Sequence, residues 1–412
     1  MNNRSLAIVL ALALCLSLAG CSGEPAAVNT DGPAATEPAA SPSPSPVETP
    51  QPTDVGEESV EPDISVLMTP LIEMRDDGGV LVFSGYYSEP VVKISGRDAA
   101  AEKITKELAK KLASGGTEAD EMYEEACEHY EGLTEEQQSI WFSYSLSRMG
   151  EVKRGDGAVL SVLGSDYVFT GGTHGSNSYY GMSFDSASGA KLALRDIFSD
   201  TATLSAKVEA SVLAQVEQLE NPEEFSGVRE FVEEALEGEG WYLSNEGLEL
   251  IAAEGEIAST ARGPITFVIP YAELEELIEP EYLPAEATED AKDVSAFSLS
   301  FEKPSEPLVE VKLDREADTF YLSANEDTAA FTFCNVNFGG KFYVAVGDEP
   351  AEDGYAPGRG YLWLSGLKAG ECIAVTGYFN DTPNFGIQFD DGSLLILAQS
   401  GKDSSLLIYE AE

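Results

Sequence analysis

Beyond Pro307 the apolar residues of this chain recur in short, strand-length runs parted by turn residues, with little helical period, and that change of pattern divides the fold. Alternation sends successive side chains to opposite faces of a strand, whereas recurrence at three and four residues marks one face of a helix. The runs lie at 309–313, 320–322, 330–334, 342–346, 361–364, 372–378, 385–389, 394–398 and 406–409, separated by Gly, Asn and Asp. Residues 307–412 are therefore expected to form an all-β, jelly-roll-like sandwich.

Residues 63–284 mix both periods. They are expected to form an α+β region, antiparallel sheets with packed helices, in two halves meeting near 160–170. Residues 80–87 read as a strand. Ala101, Ile104, Leu108 and Leu112 share one face of a helix over 98–113, and 117–130 is a second, very acidic helix. Phe142, Tyr144 and Leu146 alternate as a strand does, and 158–170 is another strand, ending at Gly171-Gly172. Residues 179–184 and 191–194, about Ser188-Gly189, are expected to pair as a hairpin. Leu204, Val208, Val212, Val216 and Leu219 mark a helix, and 225–236 marks the next. Strands come next at 241–243, 248–252 and 265–269, then a helix over 271–278 that Pro280 and Pro284 end. Residues 285–306 are charged, contain proline and read as a linker.

The front of the chain has a different character. Residues 21–62 are rich in Pro, Ala, Ser, Thr and Glu, with few large apolar groups to offset the entropy of ordering. They are expected to be a disordered tether with a reach on the order of 100 Å. Ahead of it stand Arg4, an apolar run of 13 residues from Leu6 to Leu18, and Leu18-Ala19-Gly20-Cys21. A bilayer needs about 20 apolar residues, so residues 1–20 read as a signal peptide with small residues at the cut. The Leu-Ala-Gly-Cys sequence resembles the lipobox of bacterial lipoproteins. That resemblance implies cleavage before Cys21 and a lipid (diacylglycerol, palmitate) on its thiol. The protein would then sit on the outer face of the cytoplasmic membrane, or at an outer membrane where one exists.

The charge narrows the partners. Against 24 basic residues stand 73 acidic ones, a net charge of -49, and both the α+β region and the tail share the excess. Such a field repels nucleic acid and anionic wall polymers and speeds encounter with basic proteins; solubility alone also accounts for it. Of five cysteines, Cys127, Cys334 and Cys372 remain after Cys15 and Cys21 are set aside. Cys334 and Cys372 share the β-rich region and are candidates for a disulfide. No zinc framework and no cofactor motif is present.

The middle region carries a resemblance. Tyr167-Val-Phe-Thr-Gly-Gly-Thr-His-Gly175 precedes a strand and then Phe184-Asp185-Ser-Ala-Ser-Gly-Ala-Lys-Leu-Ala-Leu-Arg-Asp-Ile-Phe198. Trp241-Tyr-Leu-Ser-Asn-Glu-Gly-Leu248 and Gly263-Pro-Ile-Thr-Phe-Val-Ile-Pro-Tyr271 come after them. This order resembles the paired extracytoplasmic domains of the anti-sigma-V factor, the lysozyme receptor of spore-forming bacteria, and of the N-terminal part of some peptidoglycan deacetylases. It covers roughly residues 63–284. It implies extracellular ligand binding, with lysozyme or another basic wall-active protein as the partner. It does not carry over signalling or catalysis: no cytoplasmic segment precedes the apolar run, and the deacetylase metal pattern is missing.

Individual residues sharpen or blunt these expectations. Gly171, Gly172, His174 and Gly175 are the candidate ligand-binding set. Between its glycines, His174 is either a ligand contact or a turn imidazole bonded to nearby backbone. His129 lies among Glu124, Glu125, Glu128 and Glu131 and reads as part of a solvated helix face. Asp185, Gly189 and Asp196 read as turn and cap residues. In the tail, Asp348, Glu349, Glu352, Asp353 and Asp390-Asp391-Gly392 are oxygen-rich turns that suit calcium. Their spacing is not that of an EF-hand, because Asp353 stands where its glycine belongs. Tyr361, Trp363, Tyr378, Phe379 and Phe385 either fill the sandwich or make a platform for wall glycans. No Gly-x-Ser-x-Gly elbow is present. The expectation is a non-enzymatic binder, with glycan adhesion and an unrecognised wall hydrolase as the alternatives.

Overall fold

The computed structural model describes residues 61–284, 290–312, 318–337, 341–342, 360–376, 385–400 and 405–411. The expected signal peptide, Cys21 and the expected tether as far as residue 60 lie outside them, as do Asp348, Glu349, Glu352, Asp353, Tyr378 and Phe379. All the described residues belong to the compact unit Ser59–Glu412. They mix α and β structure, with large, mostly antiparallel sheets and few long helices. None of their helices is long and apolar enough to cross a membrane.

Strands β1 (Ile64–Asp77) and β2 (Val80–Ile94) form a long antiparallel hairpin. It turns at Gly78 and Gly79, with φ of 59° and 88°, where a Cβ would be strained. Helices α1 (Asp98–Leu112), α2 (Gly116–Glu131) and α3 (Glu135–Gln138) then carry the chain to β3 (Tyr144–Gly155), which runs parallel to β2. Strands β4 (Val159–Phe169) and β5 (Ser176–Asp185) continue the sheet antiparallel. The expected face of α1 is the buried one: Ala101, Ile104, Leu108 and Leu112 pack on Val66, Met68, Ile94 and Val162.

The expected hairpin about Ser188-Gly189 forms only at its turn, through the Phe184 to Lys191 bridge and the bonds from Asp185 N to Ala190 O and from Leu192 N to Ser183 O. The chain then enters α4 (Leu194–Ile197), α5 (Thr201–Val216) and α6 (Val228–Glu237). Asp200 caps α5 by accepting from the Ala202 and Thr203 amides. These helices cover a small sheet of β6 (Trp241–Leu243), β7 (Gly247–Ala252) and β8 (Ile265–Pro270), burying Leu204, Val208, Phe231, Leu250 and Phe267 between them. Helix α7 (Tyr271–Leu274) is one turn, shorter than expected, since Ile278 bridges back to Phe198.

The tail departs most from expectation. Strand β9 (Phe297–Ser300) lies inside the expected linker, with Ala296 and Phe297 buried in the tail's core. It joins β10 (Val309–Lys312), β11 (Thr319–Ala324) and, beyond them, β15 (Cys372–Thr376) in the order β10-β15-β11-β9. Facing it across Phe320, Phe331, Phe333, Phe385 and Ile387 are β12 (Phe331–Asn337), β14 (Tyr361–Leu364), β16 (Phe385–Phe389), β17 (Leu394–Gln399) and β18 (Leu406–Glu410). The short β13 (Lys341–Phe342) pairs with β12. This second layer is not a closed sandwich sheet. β14 pairs with β1, Ser65 opposite Leu364 and Met68 opposite Tyr361, so both regions share one eleven-stranded sheet. The physical reason is the edge: an unpaired β1 would leave a buried row of backbone groups unsatisfied.

That sheet curls. The Tyr361 hydroxyl donates to Gly150 O at 2.9 Å and accepts from Val152 N at 3.1 Å, so β14 meets β3 across two intervening strands. Beside it, Trp363 is 3% exposed and lies where a side chain at Gly155 would sit. Phe385 is buried too. Trp363 and Phe385 are core, the first of the two readings open to these aromatics.

Candidate binding surface

Most large apolar side chains here are buried; two that are not flank a tryptophan. Ile140 is 71% exposed and Phe142 75% exposed, on the connection between α3 and β3. The period-two expectation for Phe142 fails because β3 begins only at Tyr144, after which Tyr144 and Leu146 are buried as expected. Trp141 between them is anchored: its Nε1 donates to Leu81 O at 3.0 Å, and its ring stacks on Tyr144 with centroids 5.8 Å apart. Tyr130 meets the indole edge-on at 5.4 Å. Helix α3 sets this connection through a capping box, Thr134 with Gln137, and Gln138 Nε2 donates to Tyr130 O.

His129 belongs to this cluster. Its ring meets Trp141 edge-on at 5.4 Å, and Nδ1 lies 2.9 Å from the Tyr144 hydroxyl. The residue is exposed, as a helix-face histidine should be, yet its imidazole is held by aromatic neighbours. Burial, and then Glu125, push the Tyr144 ionisation above its usual range, so it stays a neutral phenol at neutral pH.

The candidate glycines come to the same place. Gly171 and Gly172, with φ of 90° and 96°, open the loop between β4 and β5. A Cβ on Gly171 would stand 3.7 Å from His129 Cε1 and 3.8 Å from Tyr144 Cε1. A Cβ on Gly175 would overlap the Tyr167 ring. His174 is exposed, and its Nδ1 contacts the carbonyl of its neighbour Gly175 at 3.2 Å, the turn-imidazole arrangement. Sequence reasoning thus reached the loop but missed Ile140, Trp141 and Phe142. The signal available was three consecutive large apolar residues ahead of a strand.

Acid surrounds the cluster. Helix α2 carries Glu118, Asp120, Glu121, Glu124, Glu125, Glu128 and Glu131 with no Lys or Arg. Its first turns are tied down: Arg148 of β3 pairs with Glu118 and donates to Ser114 O, and Arg75 pairs with Asp120 at 2.7 Å. Arg148 also stands 3.5 Å from Asp166. Burial pushes the Asp166 carboxyl above the usual carboxylate range, although Arg148 and the Tyr180 hydroxyl, 3.0 Å away, pull the other way.

The remaining candidates are structural. Asp185 Oδ1 accepts from Ser188 N at 2.6 Å, and Asp196 Oδ2 accepts from Ala193 N at 2.8 Å. Cys334 on β12 and Cys372 on β15 are free thiols in different sheets, which corrects the disulfide expectation. Asp391 bonds Lys292 at 2.8 Å and accepts from Ser393 N and Oγ, so its oxygens are occupied by protein donors. Among the described residues no group of His, Cys, Asp and Glu is arranged to hold a metal ion.

The helices α5 and α6 over the β6–β7–β8 sheet form the unit that comparison places. Residues 195–272 match the family described as Protein of unknown function (DUF3298). The match is confined to this helix–sheet part of the compact unit. Two solved structures of DUF3298 proteins are similar to this chain. One, from Bacteroides fragilis NCTC 9343, has 17% identity and a TM-score of 0.37 over 53% of this chain and 94% of its own. The other, from Pseudomonas aeruginosa PAO1, has 15% identity and a TM-score of 0.35 over 54% of this chain and 97% of its own. No curated protein matches the chain.

Proposed function

We propose that this protein is a non-enzymatic receptor, displayed outside the cell on a lipid at Cys21, that binds a basic extracellular protein through the surface around Trp141. The observation that carries the reading is the exposure of Ile140 and Phe142 on either side of an anchored indole, beside a helix with seven acids and no Lys or Arg. Apolar anchors that fill a partner's pocket supply most of the affinity at an interface, and a surrounding field of one sign supplies encounter rate and selectivity. Glu121, Glu124, Glu128 and Glu131 are exposed and suit Lys and Arg on the partner. The resemblance of 63–284 to the lysozyme-binding region of the anti-sigma-V factor makes lysozyme the first partner to try.

The test is calorimetry of the detergent-solubilised full chain with lysozyme in about 0.15 M salt, where charges beyond about 8 Å are screened. Lysozyme is expected to bind, and Phe142→Ala with Ile140→Ala to weaken it at least tenfold. Cytochrome c, a basic protein of similar size, should bind far more weakly. Equal binding by cytochrome c, or a double variant with unchanged affinity, would sink the reading.

A further inference from the structure

Where the curled sheet brings β14 and β16 up to β3, a cleft of 800 Å³ opens. Its volume lies within the roughly 300–1,000 Å³ of small-ligand clefts. The β3 backbone makes its floor, with the Tyr361 hydroxyl set between Gly150 O and Val152 N. The turn between β6 and β7 closes one end, where Asn245 Nδ2 donates to Asp390 Oδ2 at 2.9 Å. The cleft therefore borders three parts of the fold that are distant in sequence.

Planar hydrogen-bonding groups converge on this space: Asn177, Asn245, Glu249, Gln388 and Asp390. Gln388 is half-buried, and its carboxamide has no hydrogen-bond partner among the described residues. Asp390 is exposed as a residue, yet protein atoms crowd its carboxyl end and raise its pKa against the pull of Asn245. Tyr179 is half-buried in the wall, and burial, then Glu254, keep it a neutral phenol. Among the described residues the one Lys or Arg in the lining, Lys153, is bonded to Glu151 at 2.6 Å.

We propose that this cleft binds a neutral, hydroxyl-rich ligand, an oligosaccharide, through the carboxamides of Gln388 and Asn245 and the carboxylate of Asp390, with Tyr179 as the apolar contact for a sugar ring. Carboxylates accept and carboxamides both accept and donate, which matches the paired donor and acceptor hydroxyls of a sugar. An aromatic side chain supplies the flat apolar contact that a ring's C–H face needs. Among the described residues the same lining disfavours phosphorylated and carboxylated ligands, because Glu246, Glu249 and Asp390 outweigh the single, already paired lysine. The site is independent of the surface around Trp141 and takes a different class of ligand.

The experiment is calorimetric titration of the full chain with N-acetylglucosamine hexamer and with cellohexaose, alongside oligogalacturonate as an anionic probe and spermine as a cationic one. At least one neutral hexamer should bind, and Gln388→Ala and Tyr179→Ala should each weaken it about tenfold, with circular dichroism unchanged. Phe142→Ala should leave it untouched, which separates this proposal from the protein-binding one. No heat with either neutral hexamer, unchanged affinity in both cleft variants, or binding of spermine alone overturns it.

Discussion

Asp166 is held in the fold against its own charge. Burial raises its pKa, and Arg148 and Tyr180 only partly compensate. A carboxyl whose folded pKa exceeds its unfolded value stabilises the protein fully below the unfolded pKa, about 3.9 for Asp. That contribution is lost as the pH rises through the raised folded value. Asp166→Asn, which does not titrate, should therefore gain on the natural protein as pH rises. The difference in Tm between variant and natural protein, followed from about pH 3 to pH 7, is expected to move in the variant's favour. A difference that stays constant would mean that Arg148 cancels the burial. Arg154 is the contrasting case: fully buried, it bonds Asp156 at 2.6 Å and reaches both the Tyr271 hydroxyl and Tyr282 O at 2.8 Å. It ties β3 to the segment that leaves β8, and nothing in its local sequence, Val152-Lys153-Arg154-Gly155, marked it as buried.

At the scale of elements, the pairing of β1 with β14 decides whether the tail is a separate domain. The helix faces were legible because period alone fixes them: the stripes of α1 and α5 read from sequence are the stripes that are buried. Most tail strands were legible by another signal, short apolar runs bounded by Gly, Asn and Asp turns. β1 was not, since Ile64-Ser65-Val66-Leu67-Met68 is buried or half-buried at every position rather than on alternate ones. Its burial comes from β2 on one edge and a strand some 300 residues away on the other, which no local pattern records. The cluster of His129, Trp141, Tyr144 and Gly171 was hidden in the same way, each member having been read within its own segment. Trp363 tests the seam, as it belongs to β14 yet packs in the core under α1. Trp363→Ala should cost roughly 3–5 kcal/mol, the usual loss for a large buried aromatic. Because the sheet is shared, thermal unfolding should stay a single transition at lower Tm, with near-ultraviolet signals from both regions lost together. Two separated transitions would mean that the tail folds on its own despite the pairing.

For the whole molecule, the dominant fact is 73 acids against 24 bases. The ion pairs that the fold makes are mostly at the surface, such as Lys110 with Glu107 and Lys303 with Glu306, and pairs of that kind contribute about 0–1 kcal/mol each. Repulsion among the unpaired acids is the larger collective term, and it opposes the compact state. Salt weakens both, but it relieves more repulsion than it removes attraction when one sign outnumbers the other threefold. The Debye length falls from about 30 Å at 0.01 M to about 8 Å at 0.15 M, so the Tm of the full chain should rise over that range. The same screening should slow association with a basic partner while leaving the apolar contribution of Phe142 and Ile140 largely intact. Stability and capture thus respond to salt in opposite directions, and measuring both in one series separates them. A Tm that falls with salt would mean that local ion pairs, rather than the net charge, govern the fold, and the argument from the acidic field to a basic partner would lose its footing.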